Sequence, residues 1–269
     1  MGYATVRLQR LMTRGLSGRR IVVTRARDQA GDLVRALEAH GAHTIVAPVI
    51  RIQPLENLGP LRAALTGLSA YRWVVFTSQN AVQIVLDRLV AWGLTTRVFA
   101  ATSIAAIGSA TAEALRKRGL QPALVPDEFV AEALVEALSH ASGTLVGARV
   151  LIPSAADARE VLADGLRLRG AAVETIPVYR TEPVQDDFGD LISEIIARRI
   201  DAVTFTSSST VKSFVQLVGP ETATSGRFVT ATIGPITAAT ARELGLRDVI
   251  EGEPHTVPGL VESLVRRFA

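Results

Sequence analysis

The organisation of the chain follows from two similar stretches, GRRIVVTRARDQAGDLVRALEAHGAHTIVAPVIRI at 18–52 and GARVLIPSAADAREVLADGLRLRGAAVETIPVYRT at 147–181. Their glycines after the helical part, and their Pro-Val pairs, align at a constant shift of 129 positions. The same shift aligns VVFTSQNAV (74–82) with VTFTSSSTV (203–211). Self-similarity at a fixed shift marks a repeated structural unit, so we predict that each half of the chain is one copy of a common unit.

Each copy alternates short β-branched runs with helical stretches. Runs such as IVV (21–23) and WVVF (73–76) are typical of buried parallel strands. The stretches predicted to be helical are 28–40, 80–91, 109–118, 130–140, 156–169, 186–198, 235–244 and 257–268. This alternation indicates βα units. The pattern contains about ten strands, which is more than a single open sheet usually has. We therefore expect an α/β protein with two doubly wound parallel-sheet domains.

The composition excludes several classes of protein. Of the 269 residues, 48% are hydrophobic and 20% are charged, so the chain can form the core of one large or two ordinary domains. The absence of cysteine excludes a disulfide scaffold, thiolate metal sites and cysteine catalysis. The four histidines, His40, His43, His140 and His255, form no zinc-like pair, so no metal site is predicted.

The excess of basic charge is confined to the N-terminal segment. The sequence pI of about 9.8 is typical of nucleic-acid-binding proteins. Residues 1–20, however, hold five arginines and no acidic residue, so the rest of the chain has 24 basic and 26 acidic residues and a formal charge of −2. We therefore expect no nucleic-acid partner.

Residues 1–18 are interpreted as a flexible basic leader. They lack the apolar core of a secretory signal, which leaves a transit peptide and a frayed bacterial N-terminus as the two interpretations. No apolar run approaches the ~20 residues of a membrane span. We expect a soluble, cytoplasmic protein with no membrane partner.

Polar side chains follow one strand in each copy, in FTSQN (76–80) and FTSSS (205–209). Ligands of open α/β sheets bind beyond the carboxyl ends of the strands, where the N-termini of helices attract anions. Plain N-capping by the hydroxyls is the alternative. The candidate substrate-binding residues at these junctions are Thr77, Ser78, Gln79, Ser207, Ser208 and Ser209.

A glycine marks a second pair of junctions, IGSAT (107–111) and IGPIT (233–237). Glycine allows a tight turn and the close approach of a ligand, and the threonine three residues later can face the same edge. A turn and cap without a ligand is the alternative. The candidates at these junctions are Gly108, Ser109, Thr111, Gly234, Pro235 and Thr237. We add Ser154, and Arg25 at the end of the first strand.

Several common catalytic motifs are absent from the sequence. TRAR (24–27) after the first strand has none of the glycines of a dinucleotide-binding fingerprint, and no Walker sequence or G-x-S-x-G occurs. Tyr179 is one of three tyrosines and lies in PVYRT (177–181), a segment predicted to link two domains. Its hydroxyl can enter the cleft between the domains, or its ring can simply pack in the linker.

Six segments together resemble the uroporphyrinogen-III synthase family, the cofactor-independent cyclases of tetrapyrrole biosynthesis. They are IVVTRARDQA (21–30), VVFTSQNAV (74–82), IAAIGSATAEAL (104–115), IPVYRTEP (176–183), FTSSSTVKSF (205–214) and IGPITAATARELG (233–245). Each segment alone matches the family only loosely, but the order and spacing of the six segments are specific. The resemblance covers about 18–268. Ser208 departs from the family, which often has a proline at this place.

The resemblance implies two flavodoxin-like α/β domains joined by a two-stranded linker that the chain crosses twice. Residues 19–50 with 182–269 would form one domain and residues 53–177 the other. The ladder between them would be 48–53 with 176–182. The repeat by itself equally allows two sequential halves.

The resemblance also implies an activity, the closure of hydroxymethylbilane to uroporphyrinogen III with inversion of ring D through a spiro intermediate and loss of water. No cofactor is needed. Tyr179 matches the family's tyrosine that is proposed to assist departure of the hydroxyl. Thr111, Ser207, Ser209 and Thr237 match positions that face the substrate, a linear tetrapyrrole polycarboxylate. We expect a monomer that contacts the upstream bilane-forming enzyme only transiently.

Two other functions fit the same sequence. One is a non-catalytic two-domain sensor of a tetrapyrrole or another anion, with the same fold. The other is a sugar- or anion-binding protein of the periplasmic type, against which the absence of a signal peptide counts.

Overall fold

The computed structural model describes residues 15–128 and 130–269. The strands are β1 Arg20–Val23, β2 His43–Val46, β3 Ile50–Pro54, β4 Trp73–Phe76, β5 Ser103–Ala106, β6 Arg149–Ala155, β7 Ala172–Pro183, β8 Ala202–Phe205, β9 Val229–Thr232 and β10 Val249–Glu251. The helices are α1 Gly31–Ala39, α2 Gly59–Thr66, α3 Gln79–Ala91, α4 Ser109–Lys117, α5 Ala131–Ser142, α6 Val161–Leu168, α7 Gly189–Ile196, α8 Ser208–Val218, α9 Pro220–Ala223, α10 Pro235–Glu243 and α11 Val257–Phe268. Within the described ranges, none of these helices has the length and apolar character needed to traverse a bilayer.

The described residues fall into two compact units. The first unit contains the described residues up to Arg51 together with Glu182–Ala269, and the second unit contains Ile52–Thr181. The chain passes from one unit to the other within β3 and again within β7. Two strands therefore carry the connections.

The sheet of the first unit has the strand order β10-β9-β8-β1-β2, and each neighbouring pair is parallel. Numbered within this unit, this is the 2-1-3-4-5 order of flavodoxin-like folds. The expected fold class is confirmed. The order reverses between β1 and β8, so these two strands flank the topological switch point, where open α/β sheets bind ligands.

The sheet of the second unit has the order β3-β7-β6-β4-β5. Its strands β4, β5, β6 and β7 are parallel, and their order reverses between β4 and β6. The outer strand β3 runs antiparallel to β7, because the Leu55 amide donates to Val178 (3.1 Å) and the Val184 amide to Val49 (3.2 Å). This sheet is thus flavodoxin-like except at the edge where the chain changes unit.

Helices bury both faces of the sheet in the first unit. Alternation along β1 directs Ile21 and Val23 to one face, where they pack against α1 and α11. On the other side, Phe214 of α8 contacts Phe205 and Phe228 edge to face, with ring centroids 5.2 and 5.9 Å apart. A core on each face holds the carboxyl ends of the strands at one edge.

The helices of the structure differ in two ways from those predicted. The helix expected over 156–169 begins only at Val161, because the chain stays extended as β6 up to Ala155 and the Ala156 amide then donates to the Tyr179 carbonyl (2.7 Å). The sequence patterns also missed α2. Its proline near the first turn, Pro60, is a signal that could have identified it.

The boundary predicted for the leader is wrong. Residues 1–14 lie outside the described residues, but 15–18 form a turn that packs on the first unit. Leu16 has no exposed surface, and its amide donates to the His40 carbonyl (3.0 Å). A Cβ on Gly15 would lie 2.7 Å from Val265 Cγ1. Burial of Leu16 thus fixes a segment that composition alone assigned to the leader.

Glu194 of α7 is expected to make the protein sensitive to acid. Its carboxylate pairs with Arg199 (2.7 Å) and Arg20 (2.6 Å), and the hydrogen bond from Arg199, more than the one from Arg20, lowers its pKa from 4.5 to about 2. A lowered pKa stabilises the folded state above pH ~4.5, and this contribution is lost as the pH falls towards 2. Thermal unfolding should therefore show a gap between wild type and Glu194→Gln that closes over this range.

A matched variant tests the cause of this effect. Glu262 is an exposed glutamate of α11 in the same unit. Glu262→Gln should leave the Tm unchanged from pH 7 to pH 3. A gap for Glu194→Gln that is the same at every pH would show that its ion pairs do not cause the effect.

Candidate active site

Tyr179 and Ser78 meet at the carboxyl edge of the second sheet. Tyr179 lies on β7 with 6% of its surface exposed, and its hydroxyl oxygen is 3.0 Å from Ser78 Oγ. Ser78 follows β4 and caps α3, since its hydroxyl oxygen accepts a hydrogen bond from the Ala81 amide (3.1 Å). Because Ser78 Oγ already accepts from Ala81, its own proton is free to be donated to Tyr179.

A second polar side chain completes the surroundings of the Tyr179 hydroxyl. Asn80, in the first turn of α3, also forms a hydrogen bond with it. Burial raises the pKa of Tyr179, while the hydrogen bonds from Ser78 and Asn80 offset part of this rise. Tyr179 is therefore a neutral phenol at physiological pH, able to donate its proton.

Sequence patterns did not single out Asn80. A polar residue in the first turn after a strand was the available signal, but its contact with Tyr179 arises only from the folding of β7 beside β6.

The other candidates near this edge have different surroundings. Ser154 lies inside β6, opposite Pro177 of β7, rather than at a strand end. It is 3% exposed, and its hydroxyl is buried without a hydrogen-bond partner among the described residues. Thr77 and Gln79 are partly buried on either side of Ser78. Thr77 and Ser78 thus follow β4 and Ser154 lies near the end of β6, the two strands that flank the switch point.

The glycine junction of the second unit leaves the start of α4 without a side-chain cap. Gly108 is buried at the N-cap position and, as a glycine, provides no side-chain hydrogen bond to the amides of the first turn. Ser109 is exposed, whereas Thr111 is 5% exposed and lies one turn into the helix. Uncapped amides at a helix start can bind an anion.

Three serines of the first unit lie at the start of α8. Ser207 caps the helix in a capping box with Thr210, and its hydroxyl lies 2.9 Å from that of Ser209. Ser208 instead lies 2.8 Å from Thr240 of α10. Ser78 and Ser207 therefore act as N-caps, as the alternative interpretation of these junctions expects. Ser208 instead connects α8 to α10 through Thr240. Thr240 was missed because its partner is distant in sequence.

The equivalent glycine junction of the first unit also lacks a side-chain cap. Gly234 is buried at the N-cap of α10 and Pro235 occupies the first turn. Thr237 is 5% exposed. A Cβ on Gly234 would lie 3.1 Å from His255 Cγ, so the histidine ring packs directly on this junction. The two glycine junctions thus share a helix start without a side-chain cap.

Arg25 lies just beyond β1 in the first unit. It is partly buried, and its Nε atom is enclosed without a hydrogen-bond partner in the described ranges. Burial lowers the pKa of the guanidinium, and the negative charges of Asp32 and Asp28 offset part of this effect. The structure therefore brings Tyr179 together with Ser78, and Ser207 with Ser209, but it gives Arg25 no direct contact with another candidate.

Comparison with known proteins gives one consistent family. The family model described as uroporphyrinogen-III synthase HemD matches residues 31–262. Over 256 residues, the chain is 31% identical to a uroporphyrinogen-III synthase of Synechococcus elongatus, covering 91% of this chain and 94% of that protein. It is also 31% identical over 254 residues to a porphyrin biosynthesis protein HemD of Ruminiclostridium josui, covering 94% of this chain but 49% of that protein. The chain thus spans about half of the latter.

Solved structures show the same fold. A mutant uroporphyrinogen III synthase of the extremely thermophilic bacterium Thermus thermophilus matches with a TM-score of 0.62 and 21% identity, over 93% of this chain and 98% of that chain. A uroporphyrinogen-III synthetase of Helicobacter pylori matches with a TM-score of 0.59 and 18% identity, over 93% of this chain and 99% of that chain.

Proposed function

This chain belongs to the uroporphyrinogen-III synthase family, and from this premise we propose that it closes hydroxymethylbilane to uroporphyrinogen III, inverting ring D and releasing water. The observation that carries the proposal is the family match over 31–262, which includes strands and junctions of both units. The residues around Tyr179 supply a chemistry that fits this reaction.

The bond changes of this reaction support a hydro-lyase that needs no cofactor. The C–O bond of the hydroxymethyl group breaks as the pyrrole nitrogen supplies electrons, and the departing hydroxide takes a proton and leaves as water. The resulting methylene carbon bonds to the ring D carbon that already carries the bridge from ring C, which gives the spiro intermediate. That bridge bond then breaks, the freed bridge carbon bonds to the other α-carbon of ring D, and the proton on this carbon is lost, so ring D is inverted. No electrons are gained or lost overall, so the protein has only to orient the substrate and assist the leaving group.

Tyr179 is the proton donor in this proposal. The Ala81 amide donates to Ser78, and Ser78 and Asn80 donate to the phenol oxygen, so the phenol proton is directed to a further acceptor. In the substrate complex that acceptor is the oxygen of the hydroxymethyl group. Stabilising the departing hydroxide at this atom lowers the barrier to C–O cleavage.

The carboxylates of the substrate are held at the helix starts. Gly108 and Gly234 leave the first amides of α4 and α10 without a side-chain cap, which supports binding of acetate or propionate groups there. Thr111 and Thr237 lie in the first turns of α4 and α10, and Ser209 lies in the first turn of α8, so their hydroxyls can add contacts.

The proposal extends to a cytoplasmic monomer with no nucleic-acid or membrane partner. Its expected partner is the bilane-forming enzyme, contacted transiently. The reactivity of the substrate supports such a contact, because a bilane released into solution closes by itself to the isomer without ring inversion.

The product isomers test the function. Hydroxymethylbilane is generated in the presence of this protein, and the products are oxidised and separated as uroporphyrin isomers I and III. We expect isomer III to predominate with the protein and isomer I in the blank without it. Binding of the bilane with an isomer ratio equal to the blank would contradict the enzyme and favour a sensor.

A further inference from the structure

Arg25 differs from the arginines that form ion pairs in this protein. Their side chains range in exposure from 34% (Arg20) to 74% (Arg35), so those pairs lie at the surface. Arg25 is partly buried and its Nε is enclosed without a hydrogen-bond partner, and it takes part in no ion pair within the described ranges, although the charges of Asp28 and Asp32 act on it. Residues 1–14 and Phe129 contain no acidic side chain either. A partly buried cation with an unbonded, enclosed nitrogen and no anion in contact is costly for the folded state.

The position of Arg25 fits a ligand. It follows β1, and Ser207 follows β8, the strand on the other side of the switch point. The backbone before Arg25 is fixed, because Thr24 has no exposed surface and donates to the Thr204 carbonyl (2.7 Å) while Thr204 donates to Val22 (2.9 Å). This crossed pair of hydrogen bonds holds the end of β1 against β8.

We propose that the guanidinium of Arg25 binds one carboxylate of the tetrapyrrole at the switch point of the first unit. This inference rests on the proposed function and adds a specificity-determining residue to it. A carboxylate accepts two parallel hydrogen bonds from one edge of a guanidinium. Because Nε has no accessible surface in the free protein, the side chain must turn towards the ligand, and the bound carboxylate then satisfies Nε and balances the charge. The ligand supplies an anion in direct contact, whereas Asp28 and Asp32 act on Arg25 without an ion pair.

Arg25→Met separates a binding role from a structural one. Methionine fills a similar volume without a charge, so the free protein is expected to be more stable, with a Tm higher by roughly 2–5 °C. The KM for hydroxymethylbilane is expected to rise by about 10- to 100-fold with a smaller change in kcat. A structural arginine would give the opposite change in Tm.

Two further variants serve as controls. Arg25→Lys keeps the charge but not the planar fork, so its KM should lie between those of wild type and Arg25→Met. Arg27 is exposed and two residues further along the chain, and Arg27→Met should change neither the Tm nor the KM. A lower Tm for Arg25→Met, or an unchanged KM, would overturn the proposal.

Binding of oxidised product analogues tests the site without catalysis. Uroporphyrin carries an acetate and a propionate on each ring, and in coproporphyrin methyl groups replace the acetates. In fluorescence titrations, uroporphyrin should bind Arg25→Met about 10- to 100-fold more weakly than wild type. A similar loss with coproporphyrin assigns a propionate to Arg25, and no loss with coproporphyrin assigns an acetate. If wild type binds uroporphyrin in this way but forms no isomer III, the proposed function fails while the carboxylate site stands.

Discussion

Gly259→Ala is expected to destabilise the protein by about 3 kcal/mol, which corresponds to a Tm lower by roughly 6–12 °C. Gly259 lies in the first turn of α11, and a Cβ there would be 1.9 Å from the Pro254 carbonyl oxygen and 2.8 Å from backbone atoms of Glu253 and Pro254. Backbone atoms cannot rotate aside as a side chain can. The helix start or the preceding loop must therefore move, which weakens the cap that Thr256 provides to the Gly259 amide (3.3 Å).

A second glycine at a helix start provides the matched control. Gly31 begins α1 in the same unit, and the nearest atom to an added Cβ is Arg35 Nη1 at 3.2 Å, the end of an exposed and flexible side chain. Gly31→Ala should leave the Tm unchanged or raise it slightly, because alanine favours the helix. Differential scanning calorimetry of both variants gives the comparison. Equal Tm changes would show that the contact with Pro254 is not the cause.

Gly259→Ala should also disturb the candidate site. The segment before α11 includes His255, whose ring packs on Gly234 at the start of α10 and whose Nδ1 lies 2.8 Å from the Gly252 carbonyl oxygen. A shift of this segment would displace the ring. Gly259→Ala is therefore expected to raise the KM for the bilane even at temperatures where the variant remains folded.

The sequence predicts the architecture well because its signals are local and repeated. Short β-branched runs, helical stretches and the glycines that follow them recur at a fixed shift, and these signals give the parallel βα units of both sheets. Position 259 carries no comparable signal. Its requirement for glycine comes from the path of residues 253–254, which are separate from the helix pattern.

The sequence predicts where the residues of the candidate site lie, but not which of them contact one another. Ser78 and Ser207 each follow a strand and precede a helix, and this chain order places each at the carboxyl edge of its own sheet. Which hydroxyl caps a helix and which meets another side chain depends on tertiary packing. The contact of Tyr179 with Ser78 requires β7, β6 and β4 to lie side by side, and no pattern within either segment encodes that order.

Tyr179→Phe is expected to lower the kcat for isomer III by about 100-fold while leaving the KM nearly unchanged. Phenylalanine keeps the buried ring but removes the proton that assists departure of the hydroxide. Because unassisted closure competes, the fraction of isomer I should rise as the protein is diluted. Stability should change little, since Ser78 can still accept from Ala81 and cap α3. Initial rates with product separation measure both effects.

The pH dependence gives an independent check on the same residue. Burial raises the pKa of Tyr179 above its ordinary value of about 10, and the protonated phenol is the active form. A raised pKa moves the loss of the proton to higher pH, so wild-type kcat should show no fall due to Tyr179 below pH ~10. A fall between pH 7 and 9 that disappears in Tyr179→Phe would contradict the assignment of the phenol as donor.

Tyr71 provides the control that distinguishes a reacting hydroxyl from any buried one. It precedes β4, at the opposite edge of the same sheet, where its hydroxyl bonds Glu174 and accepts from Arg149 (3.0 Å), and its pKa is raised to about 12, mainly by burial. Tyr71→Phe removes the phenol proton of a residue that is as buried overall as Tyr179 and breaks these bonds, so it should lower the Tm without lowering kcat. If both variants lose activity equally, loss of packing rather than of the proton explains the effect. If Tyr179→Phe is slow while Tyr71→Phe keeps full activity, the reacting hydroxyl is the one at the carboxyl edge of the sheet.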